Sequence, residues 1–240
     1  MDFLTLFISL RCTNSCSHCL YGCSSEHGED MAPEIYTRSL EIAKSSHIKK
    51  INFFGGEPLI NPQIFPMLQY VLRNGFSLIL ATNCRPLASE EMLSTFLRIT
   101  GDYINNIEIV TARDKFHLKY FDPVNVISRL QNNGYKIVVN DYSDYAVLIS
   151  EHNVHNQELQ KLNTRFSCCG DRWSDALGVL PDGGWTICPT SLESFGHIYV
   201  NTLSEILNFK KKIPLRYKEG CTVCLQDFKQ FHQEFDVKKV

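Results

Sequence analysis

The sequence predicts an α/β fold: a partial (β/α)6, TIM-like barrel followed by a small C-terminal hairpin-plus-helix domain. Three observations carry this. Apolar runs of strand character alternate with segments of helical period about every 25 to 30 residues, the spacing of successive βα units over a parallel sheet. Prolines and glycines stand where such helices would start and stop, at Pro33, Pro62, Gly75, Pro123 and Gly134. Beyond residue 165 the pattern changes to loop, hairpin, helix and loop, which divides the chain into domains at 1–165 and 166–240.

The first strand covers residues 3–10 and runs into a loop carrying Cys12, Cys16, Cys19 and Cys23. Pro33 suits the first turn of a helix in which Tyr36, Leu40 and Ala43 recur at i, i+4, i+7. A strand over 50–54 ends at Gly55-Gly56; Asn61 then caps a helix with Pro62 at its first position, Ile64, Leu68 and Val71 inward and Gly75 as its stop. Residues 76–81 form the third strand and 89–97 its helix, which faces the core with Met92, Leu93, Phe96 and Leu97. The fourth strand spans 104–110, and its helix takes Asp122 as N-cap, Pro123 at N1, Val126, Ile127 and Leu130 inward and Gly134 as terminator. Strands over 135–139 and 145–149 complete the six. Residues 177–180 and 185–188 then flank the turn Pro181-Asp182-Gly183-Gly184, whose glycines tolerate positive φ.

With 240 residues, 44% hydrophobic and 21% charged, the composition is that of a soluble globular protein and excludes disordered, collagenous and coiled-coil classes. Twenty-four basic against 26 acidic residues give a net charge of −2, so no overall positive field favours nucleic acid or a membrane surface as partner. The apolar opening is too short to span a bilayer, and Asp2 stands where a secretory signal would be basic, which predicts a cytoplasmic protein. In that reducing compartment ten cysteines are expected to be metal ligands or redox groups, not a disulfide framework.

Cys12, Cys16 and Cys19 form C-x3-C-x2-C directly after the first strand. Three thiolates on one loop suit three irons of a [4Fe–4S] cluster and leave the fourth iron open. The alternative is zinc, with Cys23 as a fourth thiolate. Gly55-Gly56-Glu57-Pro58 lies at the C-terminal end of the second strand, the edge where barrel active sites lie, and its glycines suit close approach of backbone to a ligand. A plain strand-to-helix turn is the other reading of that segment.

In this order and on these strands, the two motifs resemble those of the radical S-adenosylmethionine (SAM) family, over roughly residues 1–150. The resemblance implies that Cys12, Cys16 and Cys19 bind the cluster, that SAM chelates its open iron through amino and carboxylate groups, and that Gly55, Gly56, Glu57 and Pro58 support the SAM amino group. It places His18 near the adenine. It also gives SAM contacts to Thr82 and Asn83, where family members carry Thr-Asn-Gly and this chain has Cys84 for the glycine. The stretch from Thr111 to His117 resembles a Ser-x-Asp element with Ala112 for the serine, which makes Arg113 a candidate cofactor contact and Asp114 a candidate catalytic residue. Cys23 and Cys84 are candidate hydrogen-atom donors. His117, Tyr21 and Arg165 are further polar or aromatic candidates.

The C-terminal cysteines resemble the family's shortened SPASM extension, called Twitch. Cys169 is followed by thirteen residues, Gly183, four residues and Cys188, with Cys221-x2-Cys224 after it; Cys168 fits the spacing equally. The resemblance implies a second, auxiliary [4Fe–4S] cluster on Cys169, Cys188, Cys221 and Cys224, against a four-cysteine zinc ribbon. The chemistry so implied is reductive cleavage of SAM, fed by a flavodoxin or ferredoxin, and removal of a substrate hydrogen by the 5′-deoxyadenosyl radical. Peptide modification is the first expectation for the substrate. A dehydrogenase or epimerase of a small sugar or aminocyclitol is the second, and a zinc-stabilised scaffold is the non-enzymatic alternative.

Overall fold

A computed structural model describes residues 3–16, 19, 21–26, 28–141, 177–186, 192 and 194–212. The expected strand over 145–149, together with His18, Arg165, Cys168, Cys169, Cys188, Cys221 and Cys224, lies outside these residues. Among the described residues no helix is long and apolar enough to cross a membrane.

The strands are β1 (Phe3–Ser9), β2 (Lys50–Gly55), β3 (Ser77–Ala81), β4 (Ile107–Ala112), β5 (Lys136–Asn140), β6 (Leu177–Val179) and β7 (Trp185–Thr186). They form one sheet in the order β5-β4-β3-β2-β1-β6-β7. Among the described strands all neighbours from β5 to β6 run parallel, and β6 and β7 are antiparallel. Helices α1 (Pro33–Ser45), α2 (Ile64–Arg73), α3 (Glu90–Thr100) and α4 (Val124–Asn132) make the crossovers, and α5 (Leu203–Lys212) follows the hairpin. The α/β partial barrel expected from the alternation is therefore present. Among the described residues the sixth parallel strand is β6 beside β1, in the region after residue 165.

Alternation along the strands gives the sheet two unlike faces. Leu4, Leu6, Ile8, Ile51, Phe53, Leu78, Leu80, Ile107 and Ile109 meet the helices in a single core with Leu40, Leu68, Val71, Leu93, Phe96 and Leu130. The opposite face carries Thr5, Phe7, Asn52 and Phe54. There Asn52 donates to the Thr5 hydroxyl at 3.2 Å across the β1–β2 seam, and the Phe7 ring packs edge-on against Tyr21 and Phe54. Gly178 on β6 is opposite Thr5. A Cβ there would lie 2.6 Å from Thr186 and 2.9 Å from the Phe7 ring, so the glycine makes room for that aromatic group.

Three element starts depart from expectation, each for a local reason. Asn61 does not cap α2; its amide donates to the Ile8 and Met31 carbonyls at 2.8 and 3.2 Å. Its oxygen accepts from the Gln63 amide at 2.8 Å, and the helix begins only at Ile64. Asp122 does accept the Val124 amide at 3.1 Å, but Pro123 takes the N-cap position and the helix starts one residue later. Residues 104–106 belong to a 3-10 segment, Gly101–Asn106, and not to a strand. Asn105 and Asn106 favour turning, and the buried alternation begins at Ile107. The stops at Gly75 and Gly134 hold, with φ of 79° and 88°. The hairpin turn likewise places Gly183 at φ 91°.

Candidate active site

The cysteine loop leaves β1 and is closed at its neck by a backbone ladder. Met31 N–H donates to Ile8 O at 2.9 Å, Leu10 N–H to Glu29 O at 2.8 Å and Cys12 N–H to Ser24 O at 2.9 Å. Arg11 pairs with Asp30 beside it. Gly28, at φ 127°, is needed at this neck, since a Cβ would fall 2.4 Å from Leu10 backbone atoms. The neck of the cysteine loop is thus fixed by its own backbone at the C-terminal edge of the sheet.

Within the loop, amide N–H groups of Asn14 and Cys23 point at the sulfurs of Cys12 and Cys19, both at 3.4 Å. Burial raises the Cys12 thiol to about 12 and the Cys16 thiol to about 11, with the neighbouring Cys19 adding to the latter. Cys19 goes the other way, to about 6, because the Cys23 thiol donates to its sulfur; the same bond and burial push Cys23 up. Cys23 is 5% exposed. Among the described residues no three His, Cys, Asp or Glu side chains gather round one point as a single ion would require.

Gly55 and Gly56 make a close approach to the stem of the cysteine loop. A Cβ on Gly55, which sits at φ 128°, would meet Ser9 O at 2.1 Å, and one on Gly56 would meet Arg11 O at 2.3 Å. The amides of Gly56 and Glu57 donate to those two carbonyls at 2.8 Å each. These glycines therefore press the exit of β2 onto the stem of the cysteine loop. Glu57 follows with no exposure. It caps the 3-10 turn Pro58–Ile60 by accepting from Leu59 N–H at 3.0 Å. It also accepts from the Thr82 hydroxyl at 2.9 and 3.0 Å and from Asn83 N–H at 2.8 Å. Burial lifts its carboxyl to about 7 against those hydrogen bonds.

Thr82 and Asn83 thus join Glu57 and the cysteine loop. Cys84 does not. It is fully enclosed in the helix-side core, where burial pushes its thiol up to about 12. Its φ of 63° is the left-handed conformation that favours the glycine of the family's Thr-Asn-Gly.

At the β4 exit, Arg113 is exposed and holds Asp122 through two hydrogen bonds of 3.1 and 3.2 Å, away from the cysteines. Asp114 is 2% exposed. Burial would raise its carboxyl, but the Phe116 and His117 amides and the His117 ring, at 2.9, 3.0 and 2.7 Å, more than offset this and hold it below the usual range. Tyr120 from the same loop donates to Ser15 O. Tyr21 packs beneath the cysteine loop as an aromatic support.

Two groups were not singled out from the sequence. Asn14, 2% exposed, has an Oδ1 with no hydrogen-bond partner among the described residues. Arg85 donates to Thr13 O at 2.7 Å. The only sequence signal for either is an amide inside the C-x3-C spacing and a base two residues after Asn83. Three thiol donors, an orphaned buried acceptor and a carboxyl able to ionise near neutrality fit an iron–sulfur cluster carrying a cationic amino-acid ligand.

Residues 6–141 match the model of the Radical SAM superfamily, more than half of the chain. The chain belongs to the radical SAM superfamily. Members are enzymes that use a [4Fe–4S] cluster and SAM, and so this is a radical SAM enzyme. A Pyrococcus furiosus protein described as a tungsten-containing aldehyde ferredoxin oxidoreductase cofactor-modifying protein is 29% identical over 106 residues, 43% of this radical SAM chain and only 30% of that relative. Among solved structures, BtrN in complex with AdoMet and 2-DOIA superposes with a TM-score of 0.65 at 18% identity, covering 91% of this chain and 88% of BtrN. Streptococcus suis SuiB bound to the precursor peptide SuiA gives 0.53 at 11% identity, covering 86% of this chain and 64% of SuiB. At these identities both show the radical SAM partial barrel as a fold.

Proposed function

We propose that this radical SAM enzyme oxidises or epimerises a small polyhydroxylated or aminated ring, with Cys12, Cys16 and Cys19 as ligands to three irons of the cluster and SAM on the fourth. The observation that carries the choice of substrate is the near full-length correspondence with BtrN, whose structure holds AdoMet and 2-DOIA. SuiB bound to its precursor peptide supports the peptide reading, which the sequence places first, over a smaller share of the partner chain. Cys12, Cys16 and Cys19 would hold the cluster, which when bound would supply the electron for reductive cleavage of SAM and so the hydrogen-abstracting chemistry.

The chain's own groups bind, orient and shield. On this reading the unpartnered Asn14 Oδ1 would accept an N–H from the SAM amino group, and a cation bound nearby would favour the charged form of Glu57, whose carboxyl burial lifts to about 7. The aromatic set of Phe7, Tyr21 and Phe54 under the loop excludes water from the radical's surroundings. Cys23 remains the candidate hydrogen donor, and Asp114 orients His117 at the rim. Cys84 serves packing. Cys188, Cys221, Cys224 and one of Cys168 and Cys169 complete the proposal as ligands to an auxiliary cluster in a Twitch-like domain over 166–240, in a cytoplasmic enzyme reduced by a flavodoxin or ferredoxin.

Anaerobic reconstitution tests this. About eight irons and eight sulfides per chain, with 5′-deoxyadenosine release that vanishes in the Cys12→Ala/Cys16→Ala/Cys19→Ala variant while about four irons remain, is the expected result. Zinc without iron, or nucleoside release indifferent to the triple variant, overturns it. Deuterium transfer into 5′-deoxyadenosine from ring-labelled aminocyclitols, and not from labelled peptides, separates the two substrate readings.

A further inference from the structure

Asn83 sits where three segments meet. Its main-chain N–H is held by Glu57 Oε2 at 2.8 Å. Its Oδ1 accepts Arg85 N–H at 2.9 Å. Because a backbone N–H must be received by the oxygen, that bond fixes which way the side-chain amide faces. Both Nδ2 hydrogens then point into the cysteine loop, one towards Thr13 Oγ1 at 3.0 Å and the other towards Cys12 Sγ at 3.5 Å. The Cys12 sulfur therefore has two N–H donors, the Asn14 backbone from its own loop and Asn83 from the exit of β3. Cys16 has a side-chain hydrogen bond from Asn14 of its own loop; among the described residues the amide that reaches the triplet from the exit of β3 is that of Asn83.

We propose that Asn83 is a positioning residue that sets the reduction potential of the SAM-binding cluster through its N–H to the Cys12 sulfur, and that Glu57 holds it in place for this. The inference rests on the proposed ligation by Cys12, Cys16 and Cys19. Reduction adds negative charge to an iron–sulfur centre, part of which resides on the ligating sulfurs. A donor aimed at one of them stabilises the reduced state and raises the potential, one of the recognised controls on such centres. Glu57 accepts the backbone N–H of Asn83 and the Thr82 hydroxyl together. The GGEP carboxylate holds the Asn83 backbone, and Arg85 N–H and Thr13 Oγ1 hold its side-chain amide in the orientation that faces the Cys12 sulfur.

The experiment is an anaerobic redox titration of the reconstituted full chain, following by electron paramagnetic resonance the signal that changes when SAM is added. For Asn83→Ala, which removes the donor without adding charge, the midpoint should become more negative. At the wild-type midpoint the reduced-to-oxidised ratio should fall about tenfold, equivalent to about 59 mV for a one-electron couple. Thr13→Val is the companion variant. It removes the other partner of the same amide, so a purely structural tie between loops would shift it as much as Asn83→Ala, whereas the proposal leaves its midpoint near wild type. An unshifted Asn83→Ala midpoint, or equal shifts in both variants, overturns the inference. Should Asn83→Ala fail to take up iron, Asn83→Gln, which keeps the donor, must restore the cluster with a potential closer to wild type than that of Asn83→Leu; equal potentials also overturn it. A wild-type chain with no SAM-responsive cluster instead refutes the ligation proposed for Cys12, Cys16 and Cys19, a distinct result.

Discussion

Glu57 makes the clearest single-residue prediction. Its buried carboxyl titrates near 7 in the fold against an ordinary value of about 4.5, so the folded chain binds this proton more tightly than the unfolded chain. The associated stability is fully present below pH 4.5 and is lost as pH rises through 7, a change of about 3 kcal/mol. Glu57→Gln should flatten the fall in stability between pH 5 and 8 in denaturant unfolding of the apo protein. A variant with the same slope as wild type refutes the assignment. Gly56→Ala should force Arg11 O away from the new Cβ, costing about 1–3 kcal/mol and reducing iron uptake; a variant with wild-type melting and iron content would show that the neck tolerates the displacement. The cysteine triplet and GGEP were legible because each is a pattern within one short segment. Asn14, Thr13 and Arg85 were not, since their roles exist only where the exits of β1, β2 and β3 meet. The packing of Gly55 and Gly56 was hidden for the same reason: the surface they press on is the backbone of Ser9 and Arg11, more than forty residues earlier in the chain.

Among the elements, the loop after β4 is organised by one carboxylate. Asp114 accepts the Phe116 and His117 amides and the His117 ring. Asp114→Ala leaves these donors without their acceptor and should destabilise the chain by about 1–3 kcal/mol. Hydrogen exchange should rise specifically over residues 114–120, and unchanged exchange there would refute the organising role. The strands and helices were largely readable because apolar period and glycine stops are local signals. Their starts were less so. Asn61 has the chemistry of a cap, but its oxygen accepts Gln63 N–H in the turn before the helix while its amide ties to the Ile8 and Met31 carbonyls, and no periodicity within 61–75 reveals those partners. Asp122 was displaced by one residue for a simpler reason, as Pro123 beside it takes the N-cap position.

At the scale of the whole molecule, β6 joins the barrel's sheet next to β1. The sequence marks its hairpin but carries no sign of which strand it pairs with, since parallel pairing is decided by tertiary packing. Gly178→Val should drive the new side chain against Phe7 and Thr186, lowering the melting temperature and loosening the aromatic support beneath the cysteine loop. Wild-type stability and iron content in that variant would mean that the β1–β6 seam is dispensable. The pairing of Leu4 with Leu177 also sets an order of events during synthesis. On a ribosome adding about 5–20 residues per second, the first strand waits roughly ten to thirty seconds for its second neighbour. Until then one edge of the strand that carries the cysteine loop stays open to other chains.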